Sequence, residues 1–588
     1  MQPRFGFVPA PVRNFLLNRW MLGLLAHVAA WCLWGWLSGV TPDYWGRWTI
    51  VYAGIALLAT GGFNRIWTGC LVTQLTVGAI DLGSLFKEQL LQQPLLAHDV
   101  VYFLRNARGN VELLSVYPRP VIGGLVLGAI ATLSTVWCAR REKPAITIPN
   151  ASQIWTHALV ALVCCTVTLK SWKHVLGAHA RQQGQGILRV ELGVFRHEMW
   201  FMVNSRFNAL PRFVESFWEF EIYEPHDLTQ AVRFRALSVL VPPPIAKRNT
   251  VKPDILVVLR ESQADLQQLW GKSPSPTPPS DSANAPARWE GQLRVHVFGG
   301  GTWLTEFSLF SGFCWGDFGP AGSYAPFSLA PLMRETLPVQ LRRLGYRTVV
   351  FNPLRGTYLN ARTSYRQYGF EEVFSHDDLP LSHGWQELSD REFYTAALQR
   401  LRETDDGRPV FAFILTIRNH GPHNLPAQKN HPAVPPEWPV ALRASIADYL
   451  ERQAETNLDY AWLQEAWLSS SRPRVLASFG DHWPSLEGGL PWLINHLAAS
   501  RTTQRQIYRT PLVFEANYPE TYPCHLREFD VAYLGGTLLE FSGLETGEFF
   551  RSNLWLRDQC AGAYVDAPDQ PLIRGYLTWA HDALGAWQ

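Results

Sequence analysis

Residues 294–311 read RVHVFGGGTWLTEFSLFS. The first five are short, β-branched and apolar in the manner of a buried strand, three glycines let the backbone turn sharply, and TWLTEFSLFS carries the pattern of a helix. A strand, a glycine turn and a helix opened by Thr302 form the repeating unit of an α/β sheet. The same unit recurs on both sides. Apolar runs at 254–259 (DILVVL), 347–351 (RTVVF), 410–416 (VFAFILT), 475–479 (VLASF) and 511–515 (PLVFE) alternate with helical stretches at 327–344, 390–403 and 444–469. That alternation predicts a largely parallel sheet buried on both faces. One insert, KSPSPTPPSDSANAPAR at 272–288, is too rich in Pro and Ser to build a core and reads as a flexible surface loop.

Open α/β sheets bind ligands where their strands end, and the residues there are of metal-ligand type. Glu261 follows the first run in LRES, Thr302 follows the glycines, His420 and His423 lie in TIRNHGPH, and Asp481 and His482 follow SFG. Two carboxylates, a hydroxyl and an imidazole from four chain positions make a set that can hold one divalent cation. Singly, each motif is what a helix cap or a solvated loop also shows; the joint occurrence points to a site. Thr302 at a helix N-terminus faces N–H groups and a dipole that favour a phosphate. A free alcohol is a weak nucleophile near neutral pH, and coordination to a divalent cation lowers its pKa.

The remaining third of the chain is different in kind. Across 588 residues 47% are hydrophobic and only 17% charged, below the roughly 25% usual in soluble domains, and the apolar residues crowd into the first 170 positions. Five stretches, Trp20–Val40, Tyr44–Phe63, Ile66–Phe86, Pro120–Ala139 and Ser152–Leu169, are candidates to cross a hydrocarbon core that needs about 20 helical residues. Residues 1–170 are thus expected to form a five-span membrane domain, 171–250 linker helices, and 251–588 an external catalytic domain. Arg4, Arg13 and Arg19 precede the first span, Arg65 separates the second and third, and Arg140, Arg141 and Lys143 follow the fourth. With all three groups cytoplasmic, the N-terminus is inside and the globular part outside. The segment KEQLLQQPLLAHDVVYFLR at 87–105 has the amphipathic spacing of a helix on the membrane surface or under the globular domain. A net charge of +2 from 52 basic and 50 acidic residues carries no footprint for nucleic acid. Eight cysteines without a CxxC pair exclude a zinc ribbon, and Cys524 and Cys560 are either one disulfide or free thiols.

The order Glu-Ser at 261–262, GGGT with Glu306 four residues after Thr302, Asn419-His420-x-Pro422 and Gly480-Asp481-His482 resembles the lipoteichoic acid synthase family of the alkaline phosphatase and sulfatase superfamily. The layout of five spans before an external domain resembles it too. The resemblance implies a five-helix transmembrane domain followed by a sulfatase-like α/β domain, and a transferase that takes phosphoglycerol from phosphatidylglycerol through a phosphothreonine intermediate. Carried over, Glu261, Thr302, Asp481 and His482 bind one divalent ion, Mn²⁺ by analogy, with Mg²⁺ and Zn²⁺ compatible with the same donors. Thr302 is then the nucleophile and His420 contacts the phosphoryl group or shuttles a proton. Where the family carries Trp-Asn-Arg, this chain has Leu359, Asn360 and Ala361, so Asn360, Arg355, Arg362 and His423 are the expected substrate contacts. Loss of the aromatic and the guanidinium points to single-unit transfer and not to a polymerase. The acceptor is an envelope glycan or lipid, the donor a membrane phospholipid, and phosphatidylethanolamine or a phosphodiesterase reaction are the alternatives. A sulfatase's C/S-x-P-S-R motif is absent at the nucleophile position. Arg outnumbers Lys in the manner of a GC-rich bacterium, which would place the protein in the inner membrane with its catalytic domain periplasmic or extracellular.

Overall fold

The computed structural model describes residues 19–37, 40, 45–91, 95–105, 118–146, 156, 158–170, 209–216, 227–239, 252–267, 287–426, 434–486 and 506–587. Eight strands form one sheet: β1 (Asp254–Arg260), β2 (Ala287–Arg294), β3 (Arg347–Asn352), β4 (Glu372–Ser375), β5 (Val410–Leu415), β6 (Arg474–Gly480), β7 (Arg509–Ala516) and β8 (Glu528–Asp530). Their order is β4-β3-β5-β1-β6-β7-β2-β8. Strand β7 runs antiparallel to both neighbours, and the other pairings are parallel. Because successive side chains alternate, β1 feeds two cores. Ile255, Val257 and Leu259 pack with Leu304, Phe307 and Phe310 of helix Thr302–Ser311. Leu256 and Val258 pack on the other side with Phe393, Ala397 and Leu401 of helix Asp390–Glu403 and with Leu463 and Trp467 of helix Val440–Leu468.

Two local readings change. The strand expected at 294–298 ends at Arg294 and extends back to Ala287, where β2 pairs with β7; the flexible insert therefore stops before the last two residues of its expected range, and residues 268–286 lie outside the described residues. Beyond Arg294 the backbone keeps a hydrogen bond from the Val295 amide to the Tyr508 carbonyl and a bridge from Phe298 to Trp483. The helix expected at 327–344 breaks into Ala325–Ser328 and Leu337–Arg343. Pro331 cannot donate an N–H to a continuing helix, and the Thr336 side chain caps a fresh start by accepting from the Val339 amide at 3.3 Å.

The N-terminal part is helical at Arg19–Leu37, Trp45–Phe63, Ile66–Leu91, Pro118–Arg141 and 158–170. Two of these, Ile66–Lys87 and Ile122–Arg141, are long and apolar enough to cross a membrane, whereas Met21–Leu37 and Ala158–Lys170 are shorter apolar helices. One end of the bundle gathers the basic loops. Glu142 caps the third helix by accepting from the Trp67 amide, the Thr68 amide and the Thr68 hydroxyl at 2.8 Å each, and Arg65 Nε donates to the Glu142 carbonyl at 2.9 Å. Asn64 exchanges two hydrogen bonds with Ile146 at 2.8 and 2.9 Å. Arg65 and Arg140–Lys143 therefore share one end. At the other, helix Ala97–Arg105 meets the globular domain through Asp99 and Tyr324. Helix Leu228–Val239 lies on helix Gln570–Asp582, and its Phe234 is buried among Trp555, Tyr576 and Trp579. Cys524 and Cys560 are both buried and free.

Candidate active site

The parallel arrangement of β5, β1 and β6 brings three loop starts to one edge of the sheet. Glu261 follows β1, and its amide is held by Thr416 Oγ1, just past β5, at 3.1 Å. Asp481 and His482 follow β6, where Gly480 is required: a Cβ there would stand 2.2 Å from the Gln263 carbonyl oxygen, and backbone cannot give way as a side chain can. Ser262 locks the two loops together, its amide donating to Asp481 Oδ1 and its hydroxyl to Glu261 Oε1, both at 2.8 Å. Gly299, Gly300 and Gly301 all take positive φ, at 72°, 156° and 88°, a path closed to ordinary residues. That path delivers Thr302 to the first position of helix Thr302–Ser311, and Thr305 Oγ1 fastens the helix to the Asp481 carbonyl at 2.9 Å.

Four of the expected residues meet here. Thr302 Oγ1 lies 3.4 Å from Glu261 Oε2 and 3.4 Å from His482 Nε2. One ligand atom each from Glu261, Asp481 and His482 falls within 4.8 Å of the others, and all three residues are buried. His482 Nδ1 sits 2.9 Å from the Trp483 carbonyl; a carbonyl only accepts, so Nδ1 carries the proton and Nε2 offers a lone pair. That lone pair stands 3.1 Å from Asp481 Oδ2 and 3.8 Å from Glu261 Oε1, and Asp481 Oδ2 has no hydrogen-bond donor. Acceptor facing acceptor in a buried site is the arrangement a cation resolves. Among the described residues neither carboxylate has a Lys or Arg partner. Burial, reinforced by the Asp481 charge, pushes the Glu261 carboxyl up to about 8. The donor set therefore fits a divalent metal.

Glu306, one helical turn beyond Thr302, is a third buried carboxylate. Tyr365 Oη donates to it at 2.7 Å, yet burial, with the charges of Asp481 and Glu261, holds it up at about 8. The sequence pattern marked Glu306 as part of a motif without giving it a role, and nothing in the sequence paired it with Tyr365.

The other expected residues lie farther along the sheet edge. His420 follows β5, its Nδ1 held at 2.7 Å from the Gly421 carbonyl and its ring 5.0 Å from that of Trp385, edge to face. Arg452, 2% exposed, is paired with Asp448 and donates to the His420 and Pro422 carbonyls at 3.1 Å each, fixing the loop. Neither Trp385 nor Arg452 was visible as a functional candidate, because both come from segments remote in sequence. His423 is buried with Nε2 on the Asn419 carbonyl at 3.0 Å, and burial drives its pKa down to about 3; its ring is committed to the interior. Asn360 takes φ 60° and donates to the Pro326 carbonyl at 3.0 Å. Arg355 lies 3.8 Å from Asp377 and is exposed, while Arg362 is bound to Asp378 and Ser375. These three lie beyond β3, two strands away from β1 in the sheet order.

Residues 253–519 match the sulfatase family's model. The chain is 27% identical over 348 residues to an uncharacterized protein of Haemophilus influenzae, covering 57% of this chain and 62% of that one. It is 25% identical over 315 residues to a putative cyclic β-1,2-glucan modification protein of Rhizobium meliloti, covering 52% and 48%. The matched region thus spans less than two thirds of either relative. Among solved structures, the Streptococcus pyogenes phosphoglycerol transferase GacH superposes with a TM-score of 0.47 at 15% identity, over 61% of this chain and 95% of that one. The Neisseria meningitidis lipooligosaccharide phosphoethanolamine transferase EptA does so with a TM-score of 0.42 at 11% identity, over 86% and 97%. A mixed sheet carries Glu261, Thr302, Asp481 and His482 at its strand ends, all within the span 253–519 that the sulfatase family's model matches.

Proposed function

We propose that the protein is a membrane-bound transferase that moves a phosphoglycerol head group from phosphatidylglycerol onto an envelope glycan or lipid, through a phosphothreonine at Thr302. The observation that carries this reading is the Thr302 hydroxyl, placed at a helix N-terminus and 3.4 Å from both Glu261 and His482. Glu261, Asp481, His482 and Thr302 would hold the metal, Mn²⁺ or another divalent ion, which when bound neutralises phosphoryl charge and lowers the hydroxyl's pKa. The backbone N–H groups at the start of helix Thr302–Ser311 face the phosphoryl oxygens, Thr302 Oγ1 attacks phosphorus as diacylglycerol leaves, and His420 serves the proton transfers of that step and of the attack by the acceptor hydroxyl. Asn360, Arg355 and Arg362, in the segment that follows β3, would meet the head group. One strand spacing is about 4.8 Å, so the distance from β1 across β5 to β3 suits a phosphoryl group plus a short polar head group. A glucan acceptor agrees with the similarity to the Rhizobium meliloti putative cyclic β-1,2-glucan modification protein. The basic loops gathered at one end of the bundle and the globular domain at the other support an N-terminus in the cytoplasm and a periplasmic or external catalytic domain.

The test is the mass of the adduct on Thr302 after incubation with defined phospholipids, followed by the products formed with a glycan acceptor. A glycerol phosphate adduct and a single added unit are expected. An ethanolamine phosphate adduct moves phosphatidylethanolamine into first place, a ladder of units makes the enzyme a polymerase, and lipid cleavage without acceptor modification makes it a phosphodiesterase.

A further inference from the structure

One half-buried ion pair ties the helical part to the globular domain. Asp99, in the first turn of helix Ala97–Arg105, accepts from Lys87 Nζ at 2.8 and 2.7 Å, from the Leu96 amide at 2.6 Å and from Tyr324 Oη at 2.8 Å. The Lys87 and Asp99 side chains are 11% and 18% exposed and Tyr324 is 8% exposed, so the node is largely withdrawn from water and weakly screened. Lys87 also lies 6.0 Å above the Tyr324 ring. Lys87 ends Ile66–Lys87, the part of helix Ile66–Leu91 with the length and apolarity of a membrane span. Next to Asp99, Val100 and Val101 are exposed. If Ile66–Lys87 spans the bilayer, exposed valines on a short helix at its mouth would lie where hydrocarbon gives way to head groups.

The node reaches toward the chemistry as well. Tyr324 closes the 315–324 segment that follows the Thr302 helix, and Pro326, two residues on, receives the Asn360 side chain. We propose that helix Ala97–Arg105 is an interfacial contact with the phospholipid bilayer, seated through Val100 and Val101, and that the Lys87–Asp99–Tyr324 node holds the catalytic cleft at the depth of the lipid head groups. This rests on the membrane reading given above, and the segment joins that surface to the Thr302 helix and to Asn360.

The test uses the full chain in vesicles of equal parts phosphatidylglycerol and phosphatidylethanolamine, with the photocrosslinker p-benzoylphenylalanine at position 100, 125 or 458. Leu125 and Leu458 are each 70% exposed, the first in the Ile122–Arg141 span and the second on a globular-domain helix. Lipid adducts at 100 and 125 and none at 458 are expected. Adducts at 125 alone overturn the proposal and leave the membrane reading standing; none at 125 overturns the membrane reading itself. In the second arm, Tyr324→Phe removes one hydroxyl from the node. The KM for phosphatidylglycerol in vesicles should rise about tenfold, with kcat and turnover of the soluble diester bis(p-nitrophenyl) phosphate within about twofold of the parent. Equal losses on both substrates would reduce the node to a structural contact and overturn the positioning role.

Discussion

Thr302 sits between a carboxylate and an imidazole that share one need, a cation, and this separates the roles of the four residues. Thr302→Ala removes the proposed nucleophile but leaves Glu261, Asp481 and His482, so turnover should fall by about three orders of magnitude or more with metal content retained. Asp481→Ala should lose both. Metal analysis beside diacylglycerol release decides it, and an active Thr302→Ala protein ends the covalent mechanism. Glu306 gives a pH signature. Its carboxyl titrates near 8 in the fold against an ordinary 4.5, so between those values the folded protein keeps a proton the unfolded chain has lost. Metal-free stability therefore falls as pH rises through that window. Glu306→Gln, neutral throughout, should flatten the decline in Tm of chelator-treated protein between pH 5 and 8; an unchanged slope would show that Glu306 contributes nothing to it.

Helix Val440–Leu468 shows how an element that supplies none of the candidate metal ligands shapes the site. Its Arg452 forms a bidentate pair with Asp448 at 2.9 and 2.7 Å and holds two carbonyls of the His420 loop. Arg452→Ala leaves a buried carboxylate without its guanidinium, and the cost should be about 3–5 kcal/mol in denaturant unfolding, with kcat falling as His420 loses its support. Adding Asp448→Asn should restore part of the stability but not the kcat; restored activity would show that the loop holds itself. Strands with continuous apolar runs, β1, β5 and β6, were legible within a residue or so because burial on both faces leaves no ambiguity of period. Strand β2 was not: ARWEGQLR at 287–294 has mixed polarity and owes its place to β7 beside it. The broken 327–344 helix likewise follows from Pro331 and the Thr336 cap, which outweigh an apolar pattern.

At the scale of the whole molecule, the Arg65 turn and the Arg140–Lys143 segment are bonded to one another, and the globular domain lies at the opposite end. An alkaline phosphatase fused after Gln588 should be active and a cytosolic reporter at the same site silent; the reverse result would overturn the topology and the lipid donor together. Apolar strands, the glycine turn and the types of residue at the strand ends follow from the sequence by itself, since period, φ preference and ligand chemistry are local properties. Glu261, Thr302, Asp481 and His482 were nameable for that reason. Only the tertiary structure decided that their lone pairs converge, that His423 turns inward to the Asn419 carbonyl, that Arg452 and Trp385 reach His420, and that Asp99 receives Tyr324. Each of these is a contact between segments far apart in sequence, and it exists because strand order and helix packing, which no local pattern encodes, bring those segments to the same place.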